Sequence, residues 1–412
     1  MNALLRNHAD TIVRSAISAV LPDAAVQRAL EGKTFPGRVI LVAAGKAGWQ
    51  MAKAAYDCLG KRIDAGVVVT KYDHVMGEIG NFNCFEAGHP VPDENSFRGT
   101  EAALELVSGL TENDTVLFLL SGGGSALFEK PLVAGEVLQD VTRQLLACGA
   151  DIVEINTIRK RLSAVKGGRF ALACAPAQVY SIVLSDILGD PLDMIASGPA
   201  YPDSSTCAQA VAIAKKYDLQ LTDETWALLE QETPKELTNV TTKITGSVRE
   251  LVAAAATACR ELGYEPVMLT DQLACQAKEA GAFLASILKT HAGSGKSLAF
   301  LAGGETVVQL TGKGLGGRNQ ELALSAAAGI DGLIGCAVFS VGSDGTDGPT
   351  DAAGGYADSD TRTALSAQGL DIFQVLQDND AYHALQAVNG LIITGPTGTN
   401  VNDVAVALYA AK

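Results

Sequence analysis

The chain repeats one device: an apolar run of five to seven residues without polar alternation, closed abruptly by glycine and hydroxyl residues. Arg38–Ala43, apolar after its first residue, runs into Gly45-Lys46-Ala47-Gly48, and residues 115–120 run into Ser121-Gly122-Gly123-Gly124-Ser125. The runs at 178–184, 298–302 and 336–341 end in Ser185-Asp186, Gly303-Gly304 and Gly342-Ser343-Asp344. A strand that faces water on one side alternates, so an unbroken run implies burial on both faces. That is the mark of a parallel sheet covered by helices.

Helical spacing fills the intervals, at 4–20, 94–108, 134–148, 247–262, 275–290 and 318–328, with a helix ending near Leu59 and short helices within 359–388. Further strands are expected at 66–70, 266–269, 391–393 and 403–409. A length of 412 residues exceeds one ordinary core. The Thr-rich stretch 232–246 loses the rhythm and reads as a boundary. The expected architecture is α/β: two Rossmann-like domains, 1–235 and 236–412, with mainly parallel sheets and an active-site cleft between them.

A net charge of −15 argues against nucleic acid and anionic membrane as partners, since phosphates would be repelled. It leaves room for small anions held by local cations and backbone N–H groups. The eight cysteines are scattered without a CxxC pair, several within apolar helical patterns, as expected of buried thiols in a reducing compartment. Arg6, Asp10 and Arg14 interrupt the first 21 residues, which read as neither signal peptide nor membrane span. A cytoplasmic protein is expected.

The glycine closures are where chemistry would sit, because open α/β sheets bind ligands at the carboxyl ends of their strands. In Ser121–Ser125 consecutive glycines let N–H groups converge on an anion, and the serines add hydroxyls. Gly45 and Lys46 add a cation to the same logic; the alternative is a solvated turn lysine. Arg159–Arg169 concentrates five cations, including Lys166, and could equally be a solvated face. Asp186 could accept a proton, bind a metal, or simply form a turn. Glu305 and Thr306 follow another glycine pair, and Gly316-Gly317-Arg318-Asn319 would aim free N–H groups and a helix dipole at an anion. Asp344, Asp347 and Asp351 form an oxygen-rich loop suited to Mg²⁺. Thr394–Asn400 is a further hydroxyl-rich turn.

Two strings imitate other sites. Gly293-Ser294-Gly295-Lys296-Ser297 resembles a P-loop, but Thr290 stands where the leading glycine should be, and a strand follows instead of a helix. Gly312-Lys313-Gly314-Leu315-Gly316-Gly317 matches the dinucleotide fingerprint GxGxxG, follows a strand and opens a helix. The acid expected about 20 residues on is misplaced, Asp344 being late.

Taken in order, several strings resemble the type II glycerate kinase family with its C-terminal MOFRL region. They are Ala44–Ala47, Ser121–Leu127, Leu162–Arg169, Leu184–Asp186, Ser197–Pro199, Gly303–Thr306, Gly316–Glu321 and Asp344–Gly354. The resemblance implies phosphorylation of D-glycerate at its 2-hydroxyl by ATP with Mg²⁺, giving 2-phosphoglycerate. Lys46 and Arg318 match the family's active-site lysine and arginine. Gly45, Ser121–Ser125, Lys166, Glu305, Thr306, Gly316, Gly317, Asn319 and Asn400 are then expected around substrate and nucleotide, and Asp344, Asp347 and Asp351 around the metal. Asp186, ahead of Asp351, is the expected acceptor of the hydroxyl proton. A homo-oligomer is compatible with the sequence. The rival readings are an NAD(P)H-dependent hydroxypyruvate reductase and a non-catalytic sensor of a phosphorylated metabolite.

Overall fold

A computed structural model describes residues 1–411. The chain forms two compact units, one of Ala25–Ser185 with Asp190–Thr245, the other of Met1–Ala24, Asp186–Gly189 and Gly246–Lys412.

The first unit is built on strands β1 Val39–Ala44, β2 Ala65–Lys71, β3 Asn83–Ala87, β4 Thr115–Leu120, β5 Gln178–Leu184 and β6 Val240–Gly246, in the order β3-β2-β1-β4-β5-β6. The pairs β1–β2, β2–β3, β1–β4 and β4–β5 are parallel, as the apolar runs foretold. Every residue of β1 and β4 is buried, because alternate side chains feed two cores. Leu117 and Leu119 pack with Val39, Leu41, Met51 and Ile182. Phe118 points the other way, into a trio with Phe128 and Phe170 whose ring centroids lie 4.8–5.6 Å apart. Each such side chain contributes about 1.5–3 kcal/mol on burial, so β1 and β4 form the stiff centre from which the loops project.

The second unit carries β7 Glu265–Leu273, β8 Leu298–Gly304, β9 Cys336–Gly342, β10 Gly354–Asp358, β11 Leu391–Ile392 and β12 Asp403–Tyr409, in the order β11-β10-β9-β12-β8-β7. Only β7–β8 among these neighbours is parallel; β12 runs antiparallel between β8 and β9, and β9–β10 and β10–β11 are antiparallel too. The expectation of mainly parallel sheets is therefore corrected for this unit. β8, β9 and β12 are buried throughout, and burial on both faces erases alternation whatever the strand direction. Helices Ala277–His291 and Arg318–Ile330 pack closely on one face: a side chain at Gly281 would strike the Leu322 carbonyl.

The division of the chain differs from the expected 1–235 and 236–412. Helix Ala3–Ala19, capped by Asn2, buries Leu5, Ile12 and Val13 in the core of the second unit, with Leu251 and Val252 of helix Val248–Glu261. An amphipathic stripe reveals a helix without revealing which sheet it covers. The stretch 232–246, expected as a boundary, also ends in a strand. β6 alternates half-buried and exposed residues from Val240 to Lys243, so its threonines reflect an edge strand's β-branched preference rather than a loop.

Candidate active site

In the first unit the chain leaves β1 towards β2 and β3, but leaves β4 towards β5 and β6. The crossovers part between β1 and β4, and it is beyond the carboxyl ends of strands at such a switch point that open α/β sheets bind ligands. The two loops with the strongest sequence signals meet there. The Lys46 N–H donates to the Gly122 carbonyl at 2.8 Å, and the Ala47 N–H donates to Ser121 Oγ at 3.0 Å. Gly45 has φ +120°, and any side chain there would strike Ser121. Buried Thr70 donates to the Gly45 carbonyl at 3.0 Å. The backbone of Lys46 is thus fixed, while its side chain is exposed and its ammonium has no hydrogen-bond or ion-pair partner among the described residues.

The Ser121–Ser125 loop is braced from behind. Ser125 Oγ bonds Ser197 Oγ at 3.0 Å, Ser197 donates to Asn156 at 2.9 Å, and Arg159 donates to the Ser125 carbonyl at 3.0 Å. Ala196 and Ser197 are held at φ +50° and +61°, a costly conformation that tucks Ala196 against Gly124.

The basic segment turns out to be internal, not a solvated or ligand-facing surface. Lys160 and Arg161 are buried against Asp203, at 3.0 and 3.6 Å. Arg169 donates to the carbonyls of Lys160, Arg161 and Ser163. Lys166, expected at the substrate, is fully buried. It lies 3.1 Å from Glu129, itself buried, and donates to the Phe128 carbonyl at 2.9 Å. Burial outweighs Glu129 and pulls its pKa down to about 8. Lys166 is corrected to a tether beneath the glycine loop: periodicity cannot see an acid 37 residues away.

Sequence reasoning missed His89 and Lys71. Lys71 ends β2, and His89 follows β3. The His89 ring lies over Gly123: a Cβ there would sit 3.1 Å from His89 Cδ2, 3.2 Å from Nε2 and 3.1 Å from Lys46 Cγ. Burial, then the charges of Lys46 and Lys71, lowers the His89 pKa below the ordinary histidine value.

The second unit presents a different cluster. β12 is antiparallel to its neighbours, so its first residue stands beside their last ones: Asp403 pairs with Gly304 and Gly342. Arg318, opening its helix, reaches this edge and is one-third exposed. Its Nε lies 2.5 Å from Asp403 Oδ2, its Nη2 2.9 Å from Oδ1, and its Nη1 3.3 Å from Glu305 Oε1. Asn402 donates to Glu305 Oε2 and to the Asp186 carbonyl, each at 3.2 Å. Burial raises the pKa of Asp403 even against the pull of Arg318, whose own pKa rises. Asp403 and Asn402 were not singled out; their signal was the polar pair opening an apolar run.

The start of the Arg318 helix is already occupied. Asp347 accepts the Asn319 N–H at 3.1 Å and the Gln320 N–H at 2.8 Å, and a side chain at Gly317 would strike its carboxylate. Asn319 is buried, bonded to Asp347 and to Ser340. The expectation of free N–H groups facing an anion is therefore corrected: an aspartate from the loop after β9 satisfies them. Burial raises the Asp347 pKa to about 7. Gly316 packs against Gly348, and Thr306 is buried. Asn400 is exposed, its side chain accepting the Asn402 N–H at 3.3 Å.

The three aspartates do not share one task. Asp344 accepts the Thr346 N–H at 3.0 Å, Asp351 accepts the Tyr382 hydroxyl at 2.8 Å, and Asp347 faces inward. Among the described residues no three His, Cys, Asp or Glu side chains form a group that could hold a metal ion. A magnesium ion caged by Asp344, Asp347 and Asp351 does not fit this arrangement.

The GxGxxG string is closed to a pyrophosphate. The N–H groups of Thr311 and Gly312 donate to Asn379 Oδ1, that of Lys313 to Asp378 Oδ1, that of Gly314 to the Asp378 carbonyl, and that of Leu315 to Asp380 Oδ1. Side chains at Gly312 and Gly314 would strike residues 378–380. Its glycines admit another stretch of chain. No helix among the described residues is long and apolar enough to cross a membrane.

Residues 8–230 match a domain of unknown function, DUF4147, and residues 298–403, from β8 to Asp403, match the MOFRL family. The chain is 53% identical to a D-glycerate 2-kinase of Thermotoga maritima over 98% of both chains. It is 39% identical to a putative hydroxypyruvate reductase of Agrobacterium vitis, over 96% of this chain and 93% of that one. A crystal structure of glycerate kinase from Thermotoga maritima superposes with a TM-score of 0.96 at 52% identity, over 99% of this chain and all of the other. By these whole-length matches, and by the strings that carry them, the chain belongs to the type II glycerate kinase family.

Proposed function

We propose that the protein phosphorylates D-glycerate at its 2-hydroxyl with ATP, giving 2-phosphoglycerate and ADP. The observation that carries the reading is Lys46: a lysine on a locked backbone at the switch point, its charge unpaired. Phosphoryl transfer needs aligned oxygens and cancelled charge more than covalent help, and such a lysine supplies charge without reorganising. Arg318 supplies a second cation, held in one orientation by Asp403 and Glu305. Gly45 and the Ser121–Ser125 loop offer backbone to an anion, and Asn400 an exposed amide. Asp186 enters as one candidate acceptor for the hydroxyl proton. Magnesium enters with the nucleotide, as the ion that accompanies ATP phosphates; no residue of the chain is assigned to it.

The test is purified protein with D-glycerate, ATP and Mg²⁺, followed by ADP release, with phosphorus NMR to place the phosphate on the 2- or 3-oxygen. A parallel reaction follows NADH loss with hydroxypyruvate. ADP release with a 2-phosphate product is expected. NADH loss without ADP release would select the reductase, and activity in neither would favour the sensor. The filled N–H groups of residues 311–315 support the kinase over the reductase.

A further inference from the structure

We propose that His89, through Nε2, accepts the proton of the glycerate 2-hydroxyl as its oxygen attacks the γ-phosphorus of ATP. The proposal rests on the kinase reading above and deepens it. The ring lies over Gly123 beside the Lys46 stem, on the loops that follow β1 and β4. Neither ring nitrogen has a hydrogen-bond partner among the described residues. His8, His74 and His383 differ in bonding Tyr264, the Tyr72 carbonyl and Asp380. His291, at the end of its helix, lies against Phe300 with ring centroids 4.9 Å apart.

The charged side chains around His89 are cations or carboxylates that already accept hydrogen bonds. Lys46 after β1 and Lys71 at the end of β2 are cations. Asp93 accepts from the Gly88 N–H, the Tyr72 hydroxyl and Ser96. Glu86 on β3 accepts the N–H groups of His74 and Val75. The Ser121–Ser125 loop carries no titratable group but hydroxyls. Burial, then both lysines, lowers its pKa below the ordinary histidine value, which favours the neutral imidazole that can take a proton.

In the step, the hydroxyl O–H bond breaks towards Nε2, the oxygen forms a bond to the γ-phosphorus, and the bond to the bridging oxygen breaks. ADP leaves with that electron pair, and the proton passes from His89 to solvent. Lys46 serves the step twice, offsetting charge on the transferred group and, after burial, adding to the downward shift of the His89 pKa.

The test compares His89→Gln, His89→Ala and Asp186→Asn with the unmodified enzyme, reading kcat, both KM values and the pH profile of kcat/KM. Below its pKa a protonated His89 cannot accept, so the unmodified enzyme should gain activity with pH and level off. His89→Gln should lower kcat by about 10²-fold or more, leave both KM values within a few-fold, and abolish the acidic limb. Free imidazole should restore part of the rate to His89→Ala, a response that packing alone would not give. A limb that survives in His89→Gln, or one lost in Asp186→Asn instead, overturns the proposal. An unmodified enzyme that releases no ADP with glycerate would sink the kinase reading itself, and the proposal with it.

Discussion

Asp403 grips Arg318 with both carboxylate oxygens, Oδ2 to Nε at 2.5 Å and Oδ1 to Nη2 at 2.9 Å. The arginine is one-third exposed and the aspartate buried, so the pair presents a guanidinium of set direction at the edge of the second sheet. Asp403→Asn should leave Arg318 charged but loosely aimed, with Glu305 its remaining acid. Misplacement of a charge-stabilising group by an ångström costs up to about 10²-fold in rate. We expect a fall in kcat of that order, with nearly unchanged KM for ATP. Steady-state ADP release checks it, and unchanged kcat would remove Asp403 from the positioning role.

Lys46→Ala should separate activity from stability. An exposed, unpaired side chain contributes little to packing, so the thermal midpoint should shift by less than about 0.5 kcal/mol equivalent. Turnover should lose roughly 3–4 kcal/mol of transition-state stabilisation. Calorimetry and kinetics on one preparation decide it. A folded variant with full turnover would return Lys46 to an ordinary turn lysine.

Lys166 should behave in the opposite way. Lys166→Met leaves Glu129 buried with Arg159, at 3.6 Å, to offset its charge. Breaking a buried pair from one side costs about 3–5 kcal/mol. Glu129→Gln in the same chain should recover part of that loss. Denaturant unfolding of the single and double variants measures the coupling; a Lys166→Met protein as stable as the parent would show that the tether carries no stability.

The cap on the Arg318 helix carries a pH signature. Asp347 has a folded pKa of about 7 against an ordinary value of 3.8. Between these values the folded chain keeps a proton that the unfolded chain has lost. Its contribution is therefore fully present below about pH 4 and lost as pH rises through 7. Asp347→Ala should destabilise by about 0.5–2 kcal/mol as a lost cap. The margin between parent and variant should be wider at pH 5 than at pH 8, read by thermal unfolding at both. A margin that widens with pH would refute the inward, burial-dominated carboxylate.

What the sequence determined by itself was everything set by local chemistry. Largely apolar runs without alternation marked β1, β4, β5, β8 and β9, because burial on both faces removes the alternation of polar and apolar positions. Glycines after those runs marked the loops that meet at Gly45 and Ser121, and Lys46 stood out as a cation without a packing duty. Only tertiary structure decided the rest, because it depends on partners distant in the chain. Strand direction in the second sheet follows from β12 entering between β8 and β9, and that insertion brings Asp403 to Arg318 across 85 residues. The occupied N–H groups at Asn319 and Gln320, the buried cation Lys166 and the ring of His89 over Gly123 are of the same kind. A charge or a free N–H looks alike in any sequence. Whether it faces a ligand or an internal partner is settled when the chain closes on itself and each buried polar group must find its counterpart.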